Sequence, residues 1–209
     1  MRATTVLLAL MSSLLALTVS AQDDPHAGAV AYALCASCHG ERAQGNETLQ
    51  APRLTHLQPV YIAAQLEKFK SGVRGGAGAS AGAVQMAGIA GTLADQQAML
   101  EVADYIATLD AGEAAVAVEG DVTMGADYYN QVCGACHGAD AQGNVAFNSP
   151  ALAGADGWYL MTQLRAFRSG TRGSHPQDRT GKQMRAMAGV LPDEQAMRDV
   201  IAFITSRQQ

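Results

Sequence analysis

The chain contains an internal repeat that sets the number of domains it can form. When the sequence is shifted by 98 residues, its two halves align without a gap, and 29 of the 72 positions from Cys35 to Ile106 are identical. Such identity indicates a tandem duplication of one domain of about 90 residues. The chain has 209 residues, so two small domains account for most of it.

The repeat also predicts where the domains begin and end. We expect an N-terminal domain over residues 22–110, a linker over residues 111–120 and a C-terminal domain over residues 121–209. The segment around the linker, DAGEAAVAVEG, is small and acidic and has no periodic apolar pattern. These properties are typical of a connection between domains.

Residues 1–21 are predicted to be a secretory signal peptide. Arg2 supplies a positive start, an apolar run extends to Val19, and small residues follow as far as Ala21. A membrane anchor would need about 20 apolar residues, and this run is shorter and is interrupted by two serines. We therefore predict an exported, periplasmic protein without a transmembrane segment after cleavage.

The composition argues against two classes of protein. Hydrophobic residues make up 48% of the chain and charged residues 16%, which is unlike a disordered protein. The net charge of −5 argues against nucleic-acid binding, which normally requires a basic surface. Aromatic residues are only 5%, so we expect a cofactor to supply part of the apolar volume.

The spacing of apolar residues predicts an all-α fold with three to four helices in each half. The glycine-rich segment from Gly72 to Gly91 is predicted to be a loop that wraps a bound group. No stretch shows a convincing strand pattern. The predicted helices are His26–Leu34, Pro59–Ser71 and Asp95–Leu109 in the first half, and Ala126–Val132, Trp158–Ser169 and a last helix starting near Leu191 in the second.

All four cysteines belong to two Cys-x-x-Cys-His motifs at equivalent places in the repeat. The motifs are Cys35-Ala-Ser-Cys38-His39 and Cys133-Gly-Ala-Cys136-His137. This pattern is the attachment signature of c-type haem. Two thiols three positions apart can each bond one vinyl group of the same porphyrin, and the next residue presents its imidazole to the iron. We predict two haem c groups, with the four cysteines as covalent attachments and His39 and His137 as iron ligands.

Other uses of paired cysteines fit this sequence less well. Structural disulfides would suit an exported protein, but they need no histidine after the second cysteine. The two halves of a zinc site usually lie about 15–20 residues apart, whereas these motifs are 98 residues apart. A thioredoxin-like redox pair requires a βαβ pattern, which the sequence lacks.

The second axial ligand should recur in both halves. His56 aligns with Gly154 and His175 aligns with Ala77, so histidine offers no matched pair. Two methionine pairs are matched: Met86 with Met184, and Met99 with Met197. The second pair lies on the apolar stripe of the last helix, where methionine usually fills the core. We predict Met86 and Met184 as the ligands, because a loop can carry a thioether across a haem face.

Two further matched pairs are expected to assist. Arg74 and Arg172 are candidates for binding the haem propionates, because a guanidinium binds carboxylates in a bidentate manner. Pro52 and Pro150 are expected to place a carbonyl near the imidazole of each motif. Solvated arginines and purely structural prolines are the alternatives.

Together these motifs resemble dihaem cytochrome c4. Each half has Cys-x-x-Cys-His, then Q-L-x-x-F-x-S-G-x-R-G, then the methionine, then L-x-D-x-Q-x-M. The resemblance implies two all-α cytochrome c domains, each folded around a covalent haem and packed face to face about a pseudo-twofold axis. It implies that Cys35, Cys38, His39 and Met86 hold one haem and that Cys133, Cys136, His137 and Met184 hold the other. It also implies periplasmic electron transfer to a terminal oxidase or a similar acceptor.

These expectations favour an outer-sphere electron carrier over an enzyme, since protein ligands on both sides of the iron leave no room for substrate. The expected partners are redox proteins, such as a membrane-bound oxidase or cytochrome complex. One alternative is the dihaem subunit of a flavocytochrome sulfide dehydrogenase, whose partner would be a flavoprotein. Another is a dihaem enzyme acting on peroxide or thiosulfate, which would need an open coordination site or a cysteine ligand.

Overall fold

The computed structural model describes residues 25–112, 114 and 118–207, so the predicted signal peptide lies outside the described residues. The prediction of an all-α fold is confirmed, because this part of the chain contains two isolated β-bridges and no strand. The N-terminal helices are α1 (Pro25–His39), α2 (Pro59–Lys70), α3 (Ala81–Gly91) and α4 (Gln96–Ala107). The C-terminal elements are α5 (Val122–Tyr128), a π-helical turn (Tyr129–Cys133), α6 (Gly134–His137), a 3₁₀ turn (Val145–Phe147), α7 (Gly157–Ser169), α8 (Arg179–Ala188) and α9 (Glu194–Thr205).

In each domain the first and last helices cross at a glycine. A Cβ atom on Gly28 in α1 would overlap the carbonyl oxygen of Glu101 in α4. A Cβ atom on Gly125 in α5 would likewise overlap the carbonyl oxygen of Asp199 in α9. Glycine lets the two backbones approach closely enough to bury the apolar stripe of the last helix. In α4 that stripe is Met99, Val102, Ala103 and Ile106.

Two predictions about the helices are wrong. The first helix does not stop before the cysteine motif, because α1 continues to His39. The segment Gly72–Gly91 is not a loop throughout, because α3 occupies its second half. The Ser80 hydroxyl caps α3 by accepting a bond from the Ala83 N–H at 3.3 Å. Between its glycines α3 consists mostly of alanine and other residues that tolerate a helix, and it packs against α2, so its glycines are tolerated.

The alignment of the two halves changes by one residue before the cysteine motif. The Tyr32 hydroxyl, three positions before the first cysteine, donates to the carbonyl of Gly40 at 2.6 Å. In the second domain the same contact comes from Tyr129, four positions before its cysteine, which donates to the carbonyl of Gly138 at 2.7 Å. The π-helical turn Tyr129–Cys133 accommodates the extra residue inside an otherwise helical segment.

The domains meet through a reciprocal polar network. Its members are Tyr61, Gln65 and Arg74 of the N-terminal domain and Tyr159, Gln163 and Arg172 of the C-terminal domain. Each arginine donates to the glutamine of its own domain and to the tyrosine and glutamine of the other. The bonds between domains are 3.0–3.2 Å long. Identical contacts in both directions are what a twofold relation between similar domains produces.

Other contacts join the two domains at the edges of this network. The Gln58 side chain donates to the carbonyl of Gln142 at 3.0 Å and accepts from the N–H of Ala151 at 3.2 Å. The Arg53 N–H donates to the Asp156 carboxylate at 3.1 Å. Within the described part of the chain, no helix has the length and apolar character needed to cross a membrane.

Candidate haem sites

The cysteine motifs occupy equivalent positions at the end of the first helical segment of each domain. Cys35, Cys38 and His39 form the end of α1, Cys133 ends the π-helical turn, and Cys136 and His137 lie in α6. All four cysteines are free thiols, so the structure does not contain the disulfides considered as an alternative. The two thiols of each motif lie about one helical turn apart, and the second of them is exposed in both domains.

The backbone orients the imidazole of each motif. Nδ1 of His39 lies 2.7 Å from the carbonyl oxygen of Pro52, and Nδ1 of His137 lies 2.9 Å from that of Pro150. A carbonyl only accepts, so Nδ1 carries the hydrogen and Nε2 keeps its lone pair. The expected proline carbonyls are therefore confirmed. Burial lowers the pKa of both imidazoles, against the effect of these hydrogen bonds, and this favours the neutral ring that a metal requires.

An apolar cavity of about 300 Å³ lies beside the first motif. Its wall includes Cys35, Cys38, His39, Leu66, Phe69 and Met86. The wall thus brings two thiols, an imidazole and a thioether together with apolar side chains. This donor set suits an iron porphyrin that is attached through sulfur, and it matches His/Met axial ligation. The residues present therefore fit a haem c.

Met86 reaches this cavity from a helix. It is half-buried on α3, so the expectation that Met86 lies in a loop is wrong. The helix packs on α2 at the edge of the cavity and presents Met86 there. Met99, the other candidate in this domain, is fully buried in the core and is not part of the cavity wall.

The second domain carries the corresponding residues on corresponding elements. Met184 is half-buried on α8, the counterpart of α3, and Met197 is fully buried in α9. His137 is 4% exposed, close to the 5% of His39. The equivalence of the two imidazoles and the two thioethers follows from the sequence repeat.

The guanidinium group of Arg74 borders the first cavity, and that of Arg172 lies at the interface between the domains. The carbon at the centre of each lies 4.4 Å from a ring centroid, Arg74 over Phe69 and Arg172 over Phe167. Neither guanidinium has a carboxylate within 4 Å among the described residues. Burial lowers the pKa of Arg74, and the nearby charge of Arg172 lowers it further. Two buried cations with neutral partners form a suitable site for an anionic group such as a propionate.

Comparison with known proteins identifies the fold. The cytochrome c family model matches residues 26–110 and again residues 122–208. The chain belongs to the cytochrome c family. Its two matches correspond to the two halves of the repeat, so the predicted pair of cytochrome c domains is confirmed.

The relatives of this cytochrome include carriers and electron acceptors. It is 33% identical over 183 residues to "Thiosulfate dehydrogenase electron acceptor" of Stutzerimonas stutzeri, an alignment that covers 83% of this chain and 80% of the relative. It is 27% identical over 182 residues to cytochrome c4 of Pseudomonas aeruginosa, covering 83% and 84%. The solved structure of Acidithiobacillus ferrooxidans cytochrome c4 matches with a TM-score of 0.68 and 26% identity, covering 84% of this chain and 99% of that one.

These findings confirm the resemblance to cytochrome c4. The protein is a dihaem, cytochrome c4-like electron transfer protein with two haem c groups. The relatives above are named as cytochromes or electron acceptors rather than as the dehydrogenase itself.

Sequence reasoning on this cytochrome missed several contacts. Gln65 and Gln163 were visible as identical aligned residues, but nothing in the sequence indicated that they bond across the interface. The hydroxyl groups of Tyr61 and Tyr159 accept hydrogen bonds from the arginines of the opposite domain, which the sequence did not indicate. The sequence repeat could not predict the pairing of Lys68 with Asp178, because neither residue aligns with an identical residue in the other half.

Proposed function

We propose that this protein is a periplasmic electron carrier that receives electrons from a thiosulfate-oxidising dehydrogenase and delivers them to a terminal oxidase or reductase. Two features support the proposal: the predicted signal peptide over residues 1–21 and the relative named as an electron acceptor of thiosulfate dehydrogenase. In this proposal the chain transfers electrons and carries out no bond chemistry of its own.

One observation carries the proposal: His39 and Met86 line the same cavity. We propose that Cys35 and Cys38 hold the first haem covalently, with His39 and Met86 as its axial ligands. Cys133, Cys136, His137 and Met184 take the same roles at the second haem. An imidazole and a thioether would together hold the iron of each haem, which would leave no position for substrate and would limit its chemistry to electron transfer.

The chain's own residues prepare the site for this transfer. When bound, each haem supplies an iron that gains or loses one electron. The Pro52 and Pro150 carbonyls fix the imidazole rings and raise their basicity. The apolar wall excludes water, and Arg74 and Arg172 supply positive charge for the propionates. Thioether ligation favours a high reduction potential, which suits an acceptor.

The electron count of the proposed reaction agrees with two haems. Oxidation of two thiosulfate ions to one tetrathionate ion forms one sulfur–sulfur bond and releases two electrons. Two bound haem c groups would accept one electron each, so one chain would hold the full yield of one turnover. No proton or atom passes to the carrier.

Stopped-flow spectroscopy of the holoprotein tests this function. The oxidised cytochrome is mixed with thiosulfate, with and without a thiosulfate dehydrogenase that lacks its own acceptor. We expect no reduction by thiosulfate alone and uptake of two electrons per chain when the dehydrogenase is present. Reduction by thiosulfate alone, peroxide turnover, or reduction only through a co-purifying flavoprotein would each contradict the proposal.

A further inference from the structure

One ion pair joins the N-terminal domain to the helix that carries Met184. Nζ of Lys68, on α2, lies 2.7 Å from Oδ1 of Asp178 and 2.7 Å from the hydroxyl oxygen of Thr180. The Asp178 side chain is 3% exposed and that of Lys68 is 20% exposed. The contact is therefore a largely desolvated pair between the domains.

Asp178 is also the N-cap of α8. Its Oδ1 accepts a hydrogen bond from the N–H of Gly181 at 2.9 Å, in the first turn of the helix. A Cβ atom on Gly181 would overlap the carboxylate, so glycine at this position allows the cap to sit against the helix. The same carboxylate oxygen thus serves both the lysine of one domain and the methionine-bearing helix of the other.

In the described part of the first domain, the N-cap of the methionine-bearing helix is not paired with a lysine of the other domain. The residue aligned with Asp178 is Ser80, and the residue aligned with Lys68 is Ala166. Ser80 caps α3 through its own hydroxyl. Within the described ranges, no hydrogen bond or ion pair links that cap to the C-terminal domain. The support of the two methionine-bearing helices is therefore unequal.

We propose that Lys68 is a positioning residue for the thioether ligand of the second haem. It holds the Asp178 carboxylate against the start of α8, and α8 carries Met184 in its second turn. The strength of the Met184–iron bond therefore depends on contact with the other domain, whereas the Met86–iron bond does not. This inference rests on the proposed roles of Met86 and Met184 as ligands.

The physical basis is the cost of leaving the carboxylate unpaired. Asp178 is 3% exposed, and removal of Lys68 leaves its carboxylate with only the longer-range charge of Arg172. The chain can restore solvation by letting the first turn of α8 move toward water. Such a movement displaces the helix that presents Met184 and weakens its hold on the iron.

The test measures how easily an added ligand replaces each thioether. Imidazole is titrated into the ferric holoprotein, and each haem is followed in that state through the paramagnetically shifted NMR signal of its methionine methyl group and through loss of the thioether-to-iron absorption band. Met86→Ala and Met184→Ala assign the signals to the two haems. Lys68→Met is expected to raise the affinity of the second haem for imidazole about tenfold, within the usual range of coupling between sites. The affinity of the first haem should not change.

Three variants make the result specific. Lys70→Met is the matched control, since Lys70 is on the same helix but bonds the carbonyls of Leu93 and Ala94 in its own domain. It should leave both affinities unchanged. Lys68→Arg retains the positive charge and should largely restore the behaviour of the original protein. Asp178→Asn removes the buried charge and keeps an oxygen that can cap α8, so it should have a smaller effect than Lys68→Met.

The outcomes separate this inference from the proposed function. If Met184→Ala leaves both thioether signals intact, the proposed ligation of the second haem is wrong. If Met184 is the ligand and Lys68→Met changes neither affinity or both equally, the positioning role of Lys68 is wrong. A full haem content in each variant shows that the protein compared is the folded holoprotein.

Discussion

Nδ1 of His56 is a buried nitrogen with no hydrogen-bond partner among the residues that the structure describes. His56 lies at the domain contact, where its Cβ faces Gly154 of the other domain. Burial lowers its pKa to about 3, and the neighbouring charge of Arg53 contributes. In an unfolded chain the same ring takes up its proton near pH 6.5. The unfolded state therefore binds one more proton between these two values.

This difference predicts acid sensitivity. As the pH falls below 6.5, the unfolded state gains a proton that the folded state does not, so stability declines progressively toward pH 3. Between pH 7 and pH 5 the contribution of His56 is about 1–2 kcal/mol. Urea unfolding of the holoprotein at both pH values should show that His56→Leu loses this part of the decline.

The control for His56 is a histidine outside the domain contact. His175 lies in a loop, where its Nδ1 accepts a bond from the N–H of Gln177. His175→Leu should retain the full acid sensitivity. An unchanged pH dependence in His56→Leu would mean that the ring is solvated, contrary to the structure.

The two proposed thioether ligands predict a simple spectroscopic result. Met86→Ala and Met184→Ala should each remove about half of the thioether-to-ferric-iron absorption, and the double variant should remove all of it. The reduction potential of the affected haem should fall, because thioether ligation raises it. Met187→Leu is the matched control, since Met187 lies on α8 but is 40% exposed. If Met187→Leu removes half of this absorption and Met184→Ala does not, Met187 is the ligand of the second haem.

At the scale of helices, we predict that a Gly→Ala substitution lowers stability at a helix crossing but not at an open position of a helix. Gly125→Ala places a Cβ atom on the backbone oxygen of Asp199, and α5 and α9 must separate. We expect a loss of about 1–3 kcal/mol in the free energy of unfolding. Gly28→Ala should act similarly in the first domain. Denaturant titration of the holoprotein measures both.

Gly88 supplies the control for these substitutions. It lies in the interior of α3, and nothing lies within 4 Å of a Cβ atom built there. Gly88→Ala should leave stability unchanged or raise it by up to about 1 kcal/mol. Equal losses at Gly88 and Gly125 would show that close packing at the helix crossing does not explain the effect.

The helices that sequence patterns predict best are those with one apolar face. The prediction Pro59–Ser71 agrees with α2 at Pro59–Lys70, and Trp158–Ser169 agrees with α7 at Gly157–Ser169. Helix α3 was not predicted, because its glycines are typical of a loop. Its N-cap and its packing on α2 stabilise it as a helix. The extra residue at the π-helical turn was not predicted either, because the two halves align without a gap from the cysteine motif onward and the offset lies before it.

The two thioether candidates illustrate the same limit at the haem sites. The repeat reduced the candidates to two methionine pairs, and the choice of Met86 and Met184 rested on the expectation that they lie in a loop. It could not reveal that they sit on helices, or that α8 is held by Lys68 from the other domain. Contacts between the domains depend on how the two domains pack together, and the apolar pattern within one domain does not predict that packing.

At the scale of the whole molecule, charge is divided unevenly. Residues 22–110 contain nine acidic and five basic side chains, a net charge of −4, whereas residues 121–209 contain eight of each. Exposed acidic residues of the first domain include Glu41 and Glu47, close to the first cysteine motif. Such a distribution orients an approaching partner by long-range attraction, which salt screens.

This asymmetry predicts that a basic redox partner docks on the N-terminal domain. Glu41→Lys and Glu47→Lys should each slow electron transfer with such a partner about fivefold at low ionic strength, and the difference should vanish in high salt. Asp127→Lys changes the net charge equally but alters an exposed site of the other domain, so it should have a smaller effect. Equal effects of all three substitutions would show that only net charge matters.

The central claim is that each half of the molecule holds its own haem through its own pair of cysteines. Mass spectrometry of the purified protein and of its proteolytic fragments tests this most directly. We predict an intact mass that exceeds the polypeptide by two haems, with one haem on the fragment containing Cys35 and Cys38 and one on the fragment containing Cys133 and Cys136. Unmodified thiols or a disulfide in either fragment would contradict the account.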